Sequence, residues 1–249
     1  METIPLLAIF DSGVGGFSVL REVKKVTTSD ILYFGDCKRA PYGNKKEEEI
    51  VVYIRQMLAA LKAEGATHFV SACNSMSVLT TSQLLKECDI EEHLYVDMIR
   101  AFKEHATFPQ GSQVLIAGTK ATITSGEYQN FLTSKNLQAY TYTFPDLAQK
   151  IEEGKNEALL YNEIRESFVL AQFVGATHYV YGCTHYPLIS HVFETCAKEI
   201  GWNGIFIDPA VFVAEKVKKW NLVGERRISF ETSLETETFT NYVRESFVL

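Results

Sequence analysis

The stretch GATHFVSACN at residues 65–74 returns as GATHYVYGCT at residues 175–184, 110 positions later. Gly-Ala-Thr-His, an aromatic residue and valine recur in order, and two residues further on stands a cysteine, Cys73 in one copy and Cys183 in the other. The separation is close to half of the 249-residue chain. A strand, its entry turn and its exit cysteine occur twice, at a distance that suits one complete α/β unit per copy.

The rest of the chain agrees with that division. Short apolar runs alternate with longer amphipathic ones, and strands are expected at 6–10, 31–35, 67–72, 93–97, 112–117, 138–142, 177–182, 204–207 and 227–231. Between them lie helical patterns such as KKEEEIVVYIRQMLAALKAEG, where Ile50, Ile54, Leu58 and Leu61 form one apolar stripe. Gly65 is placed to end that helix. The expected class is α/β with two pseudo-symmetric domains and mainly parallel sheets. Residues 1–95 with 211–249 make the first domain, which carries Cys73, and 96–210 the second, which carries Cys183. The hexapeptide RESFVL also occurs twice, at 165–170 and 244–249. Its spacing does not match the duplication, so it reads as two similar helix ends.

Composition narrows the partners. A net charge of −7 argues against a broad nucleic-acid footprint, which needs a basic face. No run reaches the roughly 20 apolar residues of a membrane helix, and METIPLLAIFDSG lacks the basic start and long apolar core of a secretion signal. Five cysteines without a CxxC pair then point to a reduced, cytoplasmic protein with free thiols.

Both repeated strands run into a small residue, a cysteine and polar residues: Ala72-Cys73-Asn74-Ser75 and Gly182-Cys183-Thr184-His185. That is the carboxyl end of a strand, where open α/β sheets place ligands and where a following helix lowers a thiol's pKa. Cys37, Cys88 and Cys196 read as small buried hydrophobes. A zinc site from His178, Cys183, His185 and His191 matches no usual spacing. Two thiols facing a ligand from opposite sides suit racemisation, one removing an α-proton and the other reprotonating the opposite face. An ordinary thiol is mostly protonated at neutral pH, so Asp11 and His185 are expected to assist.

Two loops complete the set. FDSGVGG at 10–16 is neither a Walker loop nor a full dinucleotide fingerprint, and it places Asp11 and Ser12 at the same sheet edge. Its glycines suit a tight turn with positive φ. APYGN at 40–44 is a turn whose amides could hold a carboxylate.

With these pieces the chain resembles the glutamate racemases of the aspartate/glutamate racemase superfamily. The matching segments are AIFDSGVGGFSVLRE at 8–22, YFGD at 33–36, PYG at 41–43, ACNS at 72–75, GTKAT at 118–122, EEG at 152–154 and GCTHYPL at 182–188. The resemblance implies a cleft between two domains, no cofactor and no metal. It implies that Cys73 acts on D-glutamate and Cys183 on L-glutamate, with Asp11 and His185 assisting. Asp11, Ser12, Tyr42, Gly43, Asn74, Ser75, Thr184 and His185 fall on substrate-contact positions, and Thr119 and Glu152 stand behind them. It also implies a homodimer that supplies D-glutamate for peptidoglycan. Ser75 replaces a usual threonine, MIRAF at 98–102 replaces a usual Glu-Pro or Lys-Pro, and Phe144 replaces a common cysteine. A racemase of aspartate or another small α-acid, and a weakly catalytic binding or inhibitor protein, are the competing readings. Paired acid/base thiols have no use in the last.

Overall fold

The computed structural model describes residues 5–246. Nine strands form two sheets: β1 (Leu6–Asp11), β2 (Asp30–Gly35), β3 (His68–Ser71), β4 (Tyr95–Asp97), β5 (Gln113–Gly118), β6 (Gln138–Thr143), β7 (His178–Gly182), β8 (Ile205–Ile207) and β9 (Ile228–Thr232). The order is β4-β3-β1-β2-β9 in one sheet and β6-β5-β7-β8 in the other, with every pair parallel. The run β2-β1-β3-β4 thus repeats as β6-β5-β7-β8, and β9 is an extra edge strand beside β2. All nine expected strands occur, displaced by a residue or two at their ends.

The repeat has a local cause at its front half. Gly65 and Gly175 take φ of 87° and 67° after helices Glu47–Ala63 and Glu157–Phe173. There the left-handed conformation lets Ala66 N–H reach Leu61 O at 3.0 Å and Ala176 N–H reach Ala171 O at 2.8 Å. Thr67 and Thr177 then open the strands by donating N–H to Leu6 O and Gln113 O, at 2.9 and 2.8 Å. His68 and His178 follow in matching register, opposite Leu7 and Val114. Gly-Ala-Thr-His therefore recurs because each unit turns from helix into strand in one way. The cysteines lie at the other end of the strand.

Parallel strands covered on both faces read as continuous apolar runs. In β1, Leu7 and Ile9 enter one core while Ala8 and Phe10 enter another on the opposite face. The stripe Ile50, Ile54, Leu58 and Leu61 is buried as expected. Helix Pro209–Lys219 packs with helices Phe17–Val23 and Met98–His105 on the first sheet. After β9, helix Glu237–Ser246 returns Phe239 to within 5.5 Å of Phe17, edge to face. The first RESFVL lies inside helix Glu157–Phe173 rather than at its end. Residues 247–249 of the second copy lie outside the described residues.

Candidate active site

Asp11 ends β1, Cys73 follows β3 and Cys183 follows β7, so all three stand at carboxyl edges of the sheets. A narrow, nearly closed cleft is lined by Ser12, Tyr42, Gly43, Cys73, Asn74, Ser75, Cys183, Thr184 and His185, with Pro41, Thr119 and Ala148. Every expected site residue but Asp11 and Glu152 lines it. Those two lie behind it, bonded to residues that do.

The two cysteines, 6% and 5% exposed, have unlike neighbours. Cys73 Sγ lies 3.7 Å from Ser12 Oγ, which lies 3.3 Å from Asp11 Oδ1. Asp11 Oδ1 also accepts from Gly13 N–H at 3.0 Å, and its Oδ2 accepts from Thr184 Oγ1 at 3.1 Å. Asp11 therefore ties the loop of one cysteine to the loop of the other. Cys183 Sγ is 3.5 Å from His185 Nδ1, and His185 Nε2 is 2.7 Å from Glu152 Oε1. Glu152, the last residue of helix Leu147–Glu152, also accepts from Val14 N–H at 2.6 Å.

This explains the glycines of the first loop. None of Gly13, Gly15 and Gly16 has positive φ, contrary to the sequence expectation. They are needed for close approach: a Cβ on Gly13 would lie 1.8 Å from Glu152 Oε1, and one on Gly15 would lie 2.5 Å from Thr184 Oγ1.

Electrostatics divides the thiols further. Burial, and then the charge of Asp11, push the Cys73 thiol far above its ordinary pKa. The helices after the cysteines are short turns, Asn74–Ser77 and the 3-10 segment Tyr186–Ile189. At Cys73 desolvation outweighs any help from the helix end, and the expected lowering does not occur. At His185 burial favours the neutral ring, but the charge of Cys183 and the Glu152 carboxylate outweigh it and raise its pKa well above 6.5. Asp11 is raised, chiefly by burial. Cys37 and Cys196 are pushed up to about 12 and about 11, again chiefly by burial.

Several side chains are already committed. Tyr42 hydroxyl donates to the Asp36 carboxylate, which also receives Arg39 and the Ser233 hydroxyl. Gly43 O accepts from Ala121 N–H at 3.1 Å, and a Cβ on Gly43 would lie 2.6 Å from Thr119 Cβ. Ser75 Oγ and Thr119 Oγ1 are 3.0 Å apart. Asn74 Oδ1 accepts from Tyr128 hydroxyl at 2.6 Å, while its buried Nδ2 has no partner among the described residues. The four residues of the rejected zinc reading do not assemble. His178 starts β7, at the end away from Cys183, and His191 pairs with Glu157 on the surface. Asp36, which anchors the 41–43 loop, went unassigned although it ends the YFGD motif. Ser18 was also missed: its hydroxyl lies 2.9 Å from both Gly15 O and Thr184 O.

The chain superposes on the glutamate racemase of Campylobacter jejuni subsp. jejuni with a TM-score of 0.84, at 24% identity, over 98% of both chains. It superposes on the glutamate racemase of Francisella tularensis subsp. tularensis, solved in complex with D-glutamate, with a TM-score of 0.82. That match is 21% identical and covers 100% of this chain and 95% of the other. The fold is thus that of an α/β amino-acid racemase. No protein-family profile matches the chain. In sequence it is 31% identical to glutamate racemase 2 of Caldanaerobacter subterraneus subsp. tengcongensis, over 99% of this chain and 91% of that protein. The chain belongs to the glutamate racemase family, and it is an enzyme of that kind.

Proposed function

We propose that the protein interconverts L- and D-glutamate by a two-thiol acid/base mechanism that needs no cofactor or metal. The observation that carries this reading is the placing of two buried cysteines, one from each repeated strand, on one small cleft. In the L-to-D direction the Cys183 thiolate takes the α-proton, and the Cys73 thiol gives its own proton to the opposite face. The reverse direction exchanges the roles. Each turnover leaves one thiol and one thiolate, so protons and charge balance.

His185, protonated between Cys183 and Glu152, stabilises the thiolate at Cys183. Ser12 links Cys73 to Asp11, through which a proton can pass when Cys73 serves as base. Among the described residues, no Lys or Arg lines the cleft. The two substrate carboxylates are therefore assigned to backbone N–H groups at Tyr42–Gly43 and Asn74–Ser75, the free Asn74 amide and the Ser75 hydroxyl. Thr184 belongs to the binding set through its hold on Asp11, which would face the substrate ammonium together with Ser12.

The reading also takes residues 1–95 with 211–249 and residues 96–210 as two domains that close on the substrate. It includes a cytoplasmic homodimer that supplies D-glutamate for peptidoglycan, without nucleic-acid or membrane partners. Kinship with the glutamate racemases, the net charge of −7 and the lack of a long apolar helix among the described residues support it.

Loss of the α-proton NMR signal in heavy water tests the substrate, with glutamate and aspartate supplied separately to dialysed protein in chelator. Exchange with glutamate alone and no pyridoxal absorbance is the expected result. Preferred exchange of aspartate, or a strict need for added cofactor, would overturn it.

A further inference from the structure

Tyr186 is wholly buried, stacked on Phe193 at 5.6 Å and edge-on to Phe144 at 5.3 Å. A phenylalanine would fill that aromatic nest equally well. The hydroxyl is the anomaly, for it has no hydrogen-bond partner among the described residues. Burying an unpaired phenol is unfavourable, so such a group calls for an explanation. Tyr186 N–H donates to Cys183 O at 3.2 Å, and both side chains belong to one buried cluster. After burial, the charge of Cys183 is the strongest influence on the hydroxyl and disfavours its ionisation. A hydrogen bond from the hydroxyl to Cys183 acts in the same sense, so the oxygen lies within reach of that sulfur although no contact of full hydrogen-bond geometry joins them.

We infer that Tyr186 is a positioning residue for Cys183, its hydroxyl held in reserve as a donor that bonds Sγ only when the sulfur is a thiolate. The donor stabilises the charged form and leaves the neutral one alone, which is the selectivity an acid/base thiol requires. Other groups also act on Cys183. His185 stands on its own loop, Cys73 across the cleft and the Tyr128 hydroxyl on helix Glu127–Ser134, with Glu152 behind His185 and Asp11 behind Thr184. Tyr186 thus adds a second donor to the one His185 supplies. The inference rests on the two-thiol reading.

Tyr186→Phe keeps the ring and removes only the donor. The test compares the pH dependence of kcat/KM for this variant, wild type and Cys183→Ala, with near-UV circular dichroism as the check on folding. We expect Tyr186→Phe to keep its fold and to move the acidic limb of the profile toward higher pH. Its activity should fall at least about tenfold at neutral pH, the effect of losing one hydrogen bond to a charged group. The rate at which iodoacetamide labels Cys183, followed by peptide mass, should shift along pH in the same sense. A profile that matches wild type, or a loss equal at every pH, would overturn the inference while Cys183→Ala remains inactive. Activity in Cys183→Ala would instead overturn the two-thiol reading beneath it.

Discussion

His185 Nδ1 stands 3.5 Å from Cys183 Sγ, whereas the side chain nearest the sulfur of Cys73 is a neutral hydroxyl, Ser12 Oγ at 3.7 Å. The backbone repeats, and the residues after each cysteine break the symmetry: Asn74 and Ser75 in one copy, Thr184 and His185 in the other. A protonated imidazole therefore stands beside one sulfur, and burial with a nearby carboxylate holds the other, Cys73, in its thiol form. On the proposed mechanism this asymmetry suits abstraction by Cys183 in one direction and a route through Ser12 and Asp11 in the other.

Cys73→Ala and Cys183→Ala should each abolish racemisation and leave the fold intact, because each removes the acid/base group for one face of the α-carbon. General acid–base groups contribute about 10²–10⁴-fold, and a thiolate that is the only base should reach or exceed that range. Cys88→Ala and Cys196→Ala should cost packing alone, on the order of 1 kcal/mol. Turnover numbers and thermal melts of the four variants check this. Near-normal turnover in either of the first two would refute the pairing.

Glu152→Gln should preserve an acceptor for Val14 N–H while removing the charge that helps hold His185 protonated. The raised His185 keeps its proton above neutral pH, and activity should fall on the alkaline side as that proton leaves. In the variant the alkaline limb of kcat/KM should begin at lower pH. An unshifted limb would show that Glu152 does not govern the imidazole.

Gly13→Ala should act through Glu152. The new Cβ would sit 1.8 Å from Oε1, so the carboxylate must leave its place against Val14 and His185. The variant should lose activity about as much as Glu152→Gln, and the double variant should lose little more, since contacting residues are not additive. Full additivity in the double-mutant cycle would contradict this coupling.

Asp97 offers a stability test away from the cleft. It caps helix Met98–His105 through Arg100 N–H at 2.8 Å, and burial raises its pKa from 3.8 to about 6. A raised carboxyl favours the fold in its neutral form. Its contribution is therefore full below about pH 4 and is lost as pH rises through about 6. Asp97→Asn keeps the cap and removes the charge, so it should stabilise the protein at pH 8 by up to about 3 kcal/mol. At pH 4 the two proteins should unfold alike. Urea unfolding at the two pH values decides it, and a destabilised variant at pH 8 would show that the ion pair of Asp97 Oδ2 with Arg100 Nε, at 3.4 Å, outweighs burial.

The sheets were legible because parallel strands buried on both faces leave unbroken apolar runs, as in LLAIFD and HYVYG. Cys73, Cys183 and their neighbours were legible from the duplicated strand end. Less visible was whatever depends on approach between distant segments. Gly13 looked like a turn glycine, though its reason is a carboxylate 139 positions away, at Glu152. The thiol pKa expected to fall at Cys73 rises because burial, which no local pattern shows, exceeds the effect of a one-turn helix. Tyr42 lines the cleft as expected, but no local pattern shows that its hydroxyl is committed to Asp36.

The central claim is that each face of the α-carbon has its own thiol. The most direct test is isotopic: L-glutamate is supplied in heavy water, and the α-position of both isomers is followed during the first few per cent of conversion. Two separate thiols predict that the D-glutamate formed carries deuterium, taken from Cys73 already exchanged with solvent, while the remaining L-glutamate keeps its proton. Deuterium entering the L-glutamate pool as fast as D-glutamate forms, or D-glutamate that retains the original proton, would mean that one base serves both faces and would contradict the account.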